Sequence, residues 1–173
     1  MRRSSEKKRN AVIIGIGNIL LKDEGAGVRA VEAFNDRYSL PRGLRCVDGG
    51  TAGLKLLSLI KDSSHVIIVD AVRTKGAPGA VSIIRGHDIP EARSIGSSVH
   101  RIGVSDLMAL ARFEGCAPDI VIIGIKPKDI SPGLTLTPVI RKKIPEAVMA
   151  IKDELERKGI PVKEKPAHKR KDA

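Results

Sequence analysis

The sequence contains very few aromatic residues. Its 173 residues include two phenylalanines, one tyrosine and no tryptophan, although 42% of the residues are hydrophobic. The core must therefore be built from aliphatic side chains. Proteins that bind single-stranded nucleic acids usually stack bases on aromatic side chains, so this shortage argues against that function.

Cysteine is also scarce. Cys46 and Cys116 are the only cysteines, and they stand too far apart for a CxxC motif. The sequence therefore predicts neither a disulfide framework nor a thiolate metal site, as is typical of the reducing cytoplasm. No apolar run reaches the roughly 18 residues that a membrane-spanning helix needs. We expect a cytoplasmic protein with no membrane insertion.

The net charge of +11 is concentrated at the two ends. Residues 1–10 carry five Lys or Arg against one Glu, and residues 161–173 carry five against two acids. We interpret 1–10 as a disordered basic leader, 11–160 as one folded domain and 161–173 as a disordered basic tail. Nucleic-acid association through these tails is an alternative function, although the body is only mildly basic.

Strand and helix patterns alternate in the first half of the domain. Apolar runs predict strands at Ala11–Ile16, Leu44–Val47 and His65–Asp70, with helices over 24–38 and 54–61 between them. This alternation predicts a parallel sheet covered by helices on both faces.

The alternation then breaks, because only nine residues separate Asp70 from the next apolar run, Ala80–Arg85. A parallel crossover needs about a dozen residues, so this strand should be antiparallel and near an edge. A loop over 86–99 and further elements over 104–113, 120–125 and 137–158 complete the chain. We expect an α/β three-layer sandwich with a twisted, mostly parallel five-stranded sheet and one antiparallel strand.

Two glycines after the first strand suggest a dinucleotide fingerprint, but the pattern is incomplete. Leu20 stands where the third glycine is required. Asp23 and Glu24 would also repel a pyrophosphate. The sequence therefore argues against a dinucleotide site.

Three polar residues are candidates for a metal site. Glu24 follows the first strand, Asp70 ends the third, and His100 lies on the loop before the helix at 104–113. The first two belong to one carboxyl edge of the sheet, which the loop could reach. Two carboxylates and an imidazole suit a divalent metal. A helix cap, a turn acid and a loop histidine explain the same residues without a metal.

Motif blocks along the chain resemble the hydrogenase maturation endopeptidases, which trim the C-terminal extension of the [NiFe] hydrogenase large subunit. The blocks follow one another in the order and spacing of that family: GIGNILLKDEGAGVRAVE at 15–32, DGGTAGLKLL at 48–57, IIVDAV at 67–72, HRIGVSDLMAL at 100–110 and GLTLTPVI at 133–140. The resemblance implies a similar sandwich fold.

The resemblance also implies site roles. The metal-binding positions of the family fall on Glu24, Asp70 and His100. They would read nickel already installed in the large-subunit precursor, so the metal comes with the substrate rather than as a resident cofactor. The matching turns would contact substrate through Gly17, Asn18, Gly49, Gly50 and Thr51.

Two further carboxylates, Asp48 and Asp23, are predicted to have roles other than metal binding. Asp48 is a candidate for acid/base catalysis or substrate contact, with a turn carboxylate bound by backbone amides as the alternative. Asp23 is expected to be a cap or a support for the ligands. A family member that binds a metal or a partner without cleaving it is the other alternative function.

Overall fold

The structure, a computed structural model, describes residues 10–91, 93–94 and 104–166. The strands are β1 (Ala11–Ile16), β2 (Tyr38–Ser39), β3 (Leu44–Gly50), β4 (His65–Arg73), β5 (Val81–Arg85), β6 (Arg93–Ser94), β7 (Asp119–Ile125) and β8 (Lys163–Glu164). The helices are α1 (Ala26–Arg37), α2 (Leu57–Lys61), α3 (Val104–Phe113) and α4 (Pro138–Arg157), with 3₁₀ turns at Lys22–Gly25, Gly53–Leu56 and Gly86–Glu91.

Five strands form the main sheet in the order β3-β1-β4-β7-β5. The first four are parallel, and β5 pairs antiparallel with β7 at the edge. The short connection before β5 cannot cross back over the sheet, so the chain must reverse direction there. This confirms the predicted α/β sheet with one antiparallel strand.

Helices cover both faces of the sheet. One aliphatic core lies between the sheet and helices α1 and α4, and the other lies under α2 and α3. Strands β1, β4 and β7 are buried almost throughout, because both of their faces are covered. The Phe34 and Tyr38 rings pack together in the first core, with centroids 4.9 Å apart.

Several boundaries differ from the sequence prediction. The first helix begins at Ala26 rather than residue 24, because Lys22–Gly25 form a separate 3₁₀ turn. Strands β3 and β4 each continue three residues past their predicted ends. The residue pair at 93–94 adds a short antiparallel strand, β6, to the end of β4.

The helix over 138–157 runs continuously through Pro145, where the sequence suggested a kink or a break. Beyond it, the sequence places the end of the folded domain at residue 160. In the structure, Lys163–Glu164 pair with Tyr38–Ser39, and Arg37 donates two hydrogen bonds to Glu164, at 3.1 and 2.7 Å. These contacts attach residues 163–165 to the end of α1.

Candidate functional site

Glu24 lies in the 3₁₀ turn between β1 and α1 and is fully buried. The N-cap residue of α1, directly before Ala26, is Gly25, which has no side chain to cap the helix. Glu24 therefore does not occupy the N-cap position that the alternative interpretation gave it. Its side-chain Oε2 atom is shielded from solvent.

Asp70 lies within β4, with 1% of its surface exposed. It is paired in register with Gly124 of β7. Because side chains alternate along a strand, Asp70 shares a face with Ile68 and Val72, which pack in the core under α2 and α3. This is the face on which α3 lies, and the segment that leads into α3 carries His100.

The turn that holds Glu24 is packed against β4. A Cβ at Gly27 would lie 2.1 Å from the carbonyl oxygen of Val69 and 2.4 Å from that of Ile16. Only glycine allows α1 to begin this close to two strands. Glu24 and Asp70 consequently lie at the same carboxyl edge of the sheet, in adjoining elements.

The structure places two of the three predicted metal ligands. His100 lies outside the described residues, so the complete set of three is not tested and stays a prediction. Among the residues that are described, no three His, Cys, Asp or Glu side chains gather into a metal site. Two buried carboxylates at one edge are oxygen donors of the type that a divalent transition metal accepts beside an imidazole.

Asp23 has a different role from its neighbour. This fully buried carboxylate accepts hydrogen bonds from the backbone N–H groups of Lys128 and Asp129, each at 3.0 Å. It also accepts the backbone N–H and the hydroxyl of Thr137, at 2.7 and 2.9 Å. Four hydrogen bonds fix the loop at 126–137 against the Glu24 turn, so Asp23 holds a second loop beside the candidate site. Its support of metal ligands stays a prediction.

Further contacts join this loop to the turn. The backbone N–H of Lys22 donates to the carbonyl of Gly133 at 2.9 Å, and that of Asp23 donates to the carbonyl of Asp129 at 3.1 Å. The ammonium of Lys22 contacts Asp129 at 2.6 Å and Ser131 at 2.8 Å. The sequence did not predict this contribution, although residues 126–133 after β7 contain two prolines and form neither a strand nor a helix.

The loop after β1 packs closely on the same turn. Gly17 has a φ of +135°, and a Cβ there would lie 1.8 Å from the carbonyl oxygen of Glu24. The space beside Gly17 is thus filled by the Glu24 backbone. The N–H of Gly17 also donates to the carbonyl of Gly50 at 2.9 Å, which joins this loop to the end of β3.

The remaining predicted residues form the wall beside Gly17. Asn18 Oδ1 accepts the N–H of Leu20 at 3.0 Å, which shapes the turn. Asp48 is exposed, and its Oδ1 accepts the N–H of Gly50 at 2.9 Å, as a turn carboxylate would. Gly49 is buried and Thr51 is exposed. Their contacts with substrate, and catalysis by Asp48, stay predictions.

Burial raises the pKa of the Cys46 thiol to about 12. A thiol with such a pKa is almost entirely protonated at neutral pH and is a poor nucleophile. Cys46 is half-buried on β3 and packs against the core under α1 and α4. It therefore does not supply a nucleophile to the site.

Comparisons with known protein sequences give one family of relatives. The family model described as hydrogenase maturation protease matches residues 28–154. The chain is 38% identical over 151 residues to the hydrogenase 2 maturation protease of Escherichia coli K12, covering 86% of this chain and 92% of that protein. It is 37% identical over 156 residues to the hydrogenase expression/formation protein HoxM of Azotobacter vinelandii, covering 87% and 74%.

Solved structures give the same result. The hydrogenase maturating endopeptidase HybD from E. coli matches with a TM-score of 0.84 at 36% identity, covering 90% of this chain and 98% of that chain. The [NiFe] hydrogenase maturation protease HybD from Thermococcus kodakarensis matches with a TM-score of 0.66 at 28% identity, covering 84% and 98%.

Proposed function

Because the chain belongs to the hydrogenase maturation proteases, a family of peptidases, we propose that it cleaves the C-terminal extension from the large-subunit precursor of an [NiFe] hydrogenase. We further propose that cleavage follows nickel insertion and that Glu24, Asp70 and His100 recognise the bound nickel. We also propose that the protein is cytoplasmic, because it has only two cysteines, without a CxxC motif, as is typical of proteins in a reducing compartment. None of the helices in the described part of the chain is both long and apolar enough to cross a membrane.

The observation that carries the proposal is the burial of Glu24 and Asp70 at one edge of the sheet. Carboxylate oxygens are donors that a divalent transition metal accepts beside an imidazole. The two residues come from separate elements, the turn before α1 and strand β4, which the fold holds together. Both elements lie at the carboxyl edge of the sheet, where the proposal places the metal of the docked precursor.

In the proposed mechanism, nickel belongs to the substrate and the protease tests for it. Glu24, Asp70 and His100 complete the coordination of the precursor's nickel, and this contact orients the nearby scissile peptide bond. Orientation of this kind lowers the barrier to reaction by removing the entropy cost of alignment. Nickel bound to the precursor can also polarise a peptide carbonyl or a water molecule. A precursor without nickel lacks the contact and remains uncleaved.

The rigid surroundings of Glu24 support this role. The Asp23 hydrogen bonds and the close packing at Gly17 fix the turn from both sides. A ligand held by its surroundings loses little conformational freedom when it binds a metal. The turn therefore presents Glu24 in a fixed position before the precursor arrives.

The test compares nickel-loaded and nickel-free precursor incubated with the purified protein. Loss of the C-terminal extension is followed by intact mass spectrometry. We expect shortening of the nickel-loaded precursor alone. Equal cleavage of the two forms would overturn the nickel dependence, whereas binding without any shortening would indicate a non-cleaving family member. Affinity for nucleic acid that falls steeply with salt, with no effect on the precursor, would support the tail-based alternative.

A further inference from the structure

Four large aliphatic side chains are exposed on the two loops that flank Glu24. The exposed fractions are 37% for Ile19 and 57% for Leu20, on the loop after β1. They are 38% for Ile130 and 67% for Leu134, on the loop after β7. Exposed aliphatic side chains clustered beside a functional site indicate a surface that another molecule covers. We name these four residues the apolar rim.

Backbone hydrogen bonds make the apolar rim one surface. The N–H of Gly133 donates to the carbonyl of Leu20 at 2.9 Å. Because Leu134 follows Gly133 directly, the two most exposed leucines come from segments that are bonded to each other. Asp129, which precedes Ile130, is bonded to Asp23. The four side chains therefore belong to a single pair of joined loops.

The rim is continuous with the candidate site. The N–H of Glu24 donates to the carbonyl of Leu21 at 3.0 Å, which closes the turn that follows Leu20. A Cβ at Gly25 would lie 2.9 Å from the Cα of Ile19, so the backbone at Ile19 rests on the residue after Glu24. The rim therefore adjoins the turn that carries Glu24.

Few charged side chains lie around the rim. Lys22 is the cation nearest to Leu20 and Leu21 in the chain, and its ammonium is paired with Asp129, the acid that precedes Ile130. Lys128, two residues before Ile130, is a further exposed cation, so the charges beside the rim are few and slightly basic. The four rim side chains are themselves aliphatic, so the segment that covers them should be apolar and uncharged where it contacts them.

The rim is also preorganised. Four hydrogen bonds to the buried Asp23 hold the loop after β7, which carries Ile130 and Leu134. The backbone of this loop is thus ordered before binding, so covering its side chains does not cost the entropy of ordering the loop. Loops fixed in this way are suited to binding rather than only to joining strands.

We infer that the apolar rim is the docking surface for an uncharged, apolar segment of the hydrogenase large-subunit precursor that lies next to the nickel and the scissile bond. The inference rests on the proposed function. The rim supplies affinity that does not depend on nickel, whereas Glu24, Asp70 and His100 distinguish the loaded precursor from the unloaded one. The precursor is therefore bound in both states and processed in one.

The experiment measures binding of the purified large-subunit precursor, nickel-free and nickel-loaded, to Leu20→Ser, Leu134→Ser and the double variant. Both leucines are exposed, so each variant should fold, and circular dichroism checks this. We expect each single substitution to raise the Kd for both precursor forms about tenfold and the double variant about a hundredfold. Processing at precursor concentrations below the Kd should fall by the same factors.

The matched controls are Leu110→Ser and Phe113→Ser. Both residues are exposed on α3, which ends near the start of β7, at the opposite edge of the sheet from the site. We expect these variants to change the Kd less than twofold. A loss of affinity as large as that of the rim variants would contradict a specific docking surface.

The outcomes separate this inference from the proposed function. If the rim variants bind and process the precursor normally, the rim inference is wrong while the proposed function stands. If the wild-type protein does not cleave but the rim variants bind the precursor more weakly, the rim inference stands and the proposed function fails. If the wild-type protein self-associates and the rim variants are monomeric, with unchanged precursor binding, the rim instead binds a second copy of the chain.

Discussion

Asp23 accepts both the backbone N–H and the side-chain hydroxyl of Thr137, 114 residues further along the chain, at 2.7 and 2.9 Å. Thr137 is the residue that precedes α4. This contact connects the turn before the first helix with the start of the last helix. Glu24, the next residue after Asp23, is thereby held between the sheet and the loop over 126–137.

We expect Asp23→Ala to lower the free energy of unfolding by about 3–5 kcal/mol, because four part-buried donors lose their buried acceptor. Thr137→Val, which removes only the hydroxyl donor, should cost about 1 kcal/mol. Urea unfolding followed by circular dichroism measures both changes. Asp153→Ala is the control, because Asp153 is an exposed carboxylate on α4. An effect of Asp23→Ala no larger than this control would contradict the supporting role of Asp23.

Gly17→Ala should both destabilise the protein and abolish precursor processing. The new Cβ would lie 1.8 Å from the Glu24 carbonyl oxygen. The φ of +135° at residue 17 is also unfavourable for alanine. We expect a loss of more than about 3 kcal/mol in the free energy of unfolding. Gly53→Ala provides a matched comparison, since Gly53 has a φ of +52° but no atom within 4 Å of the added Cβ. That variant should lose only about 1–2 kcal/mol and keep its activity.

The three predicted nickel ligands can be tested by two isosteric changes and one truncation. Glu24→Gln and Asp70→Asn preserve side-chain shape but remove the negative charge, and His100→Ala removes the imidazole. We expect each variant to process nickel-loaded precursor at least about a hundredfold more slowly, as the loss of a metal ligand would predict. Binding of nickel-free precursor should be unchanged within about threefold. Normal processing by any one variant would remove that residue from the site.

Two variants of Asp48 distinguish acid/base chemistry from a turn. Asp48→Asn keeps an oxygen that can accept the N–H of Gly50 but cannot titrate, whereas Asp48→Ala removes the acceptor. Because Asp48 is exposed and bonded to its own turn, we expect Asp48→Asn to retain processing within about threefold. A large loss in Asp48→Asn, with an altered pH–rate profile, would instead assign the acid/base role to Asp48.

The Lys22–Asp129 contact predicts a specific pH dependence of stability. The hydrogen bond from the Lys22 ammonium, followed by that from the Ser131 N–H, holds the pKa of the Asp129 carboxyl well below its usual range. The stabilisation is therefore fully present above the unfolded-state pKa near 4 and is lost as the pH falls through the lower folded-state pKa.

Lys22→Met should remove most of this dependence. We expect the difference in unfolding free energy between the wild-type protein and Lys22→Met to be constant from pH 8 to pH 5 and to shrink below about pH 4. Urea unfolding at pH 7, 5 and 3.5 measures it. Lys55→Met, which changes an exposed lysine on the turn before α2, is the control. A difference that grows as the pH falls would contradict the assignment.

Much of the fold followed from local features of the sequence. Unbroken aliphatic runs identified the strands that are buried on both faces, and the nine residues before β5 were too few for a crossover. The ends of elements were harder to predict. The 3₁₀ turn at Lys22–Gly25 depends on contacts with Gly133 and Asp129, which lie more than 100 residues away. The short strand at Lys163–Glu164 exists because Arg37 and Tyr38 are nearby to pair with it.

The sequence by itself determined the α/β architecture, the aliphatic core and the family, because each depends on residue types at short spacing. It also predicted that Glu24 and Asp70 lie toward the carboxyl edge of the sheet, although Asp70 proved to lie three residues before the end of β4. Only the tertiary structure decided that Asp23 joins two distant loops and that the Glu24 carbonyl occupies the space beside Gly17. It also decided that Ile19, Leu20, Ile130 and Leu134 share one exposed surface. These relationships are contacts between residues far apart in the chain, and no local pattern encodes which distant backbone group a side chain will meet.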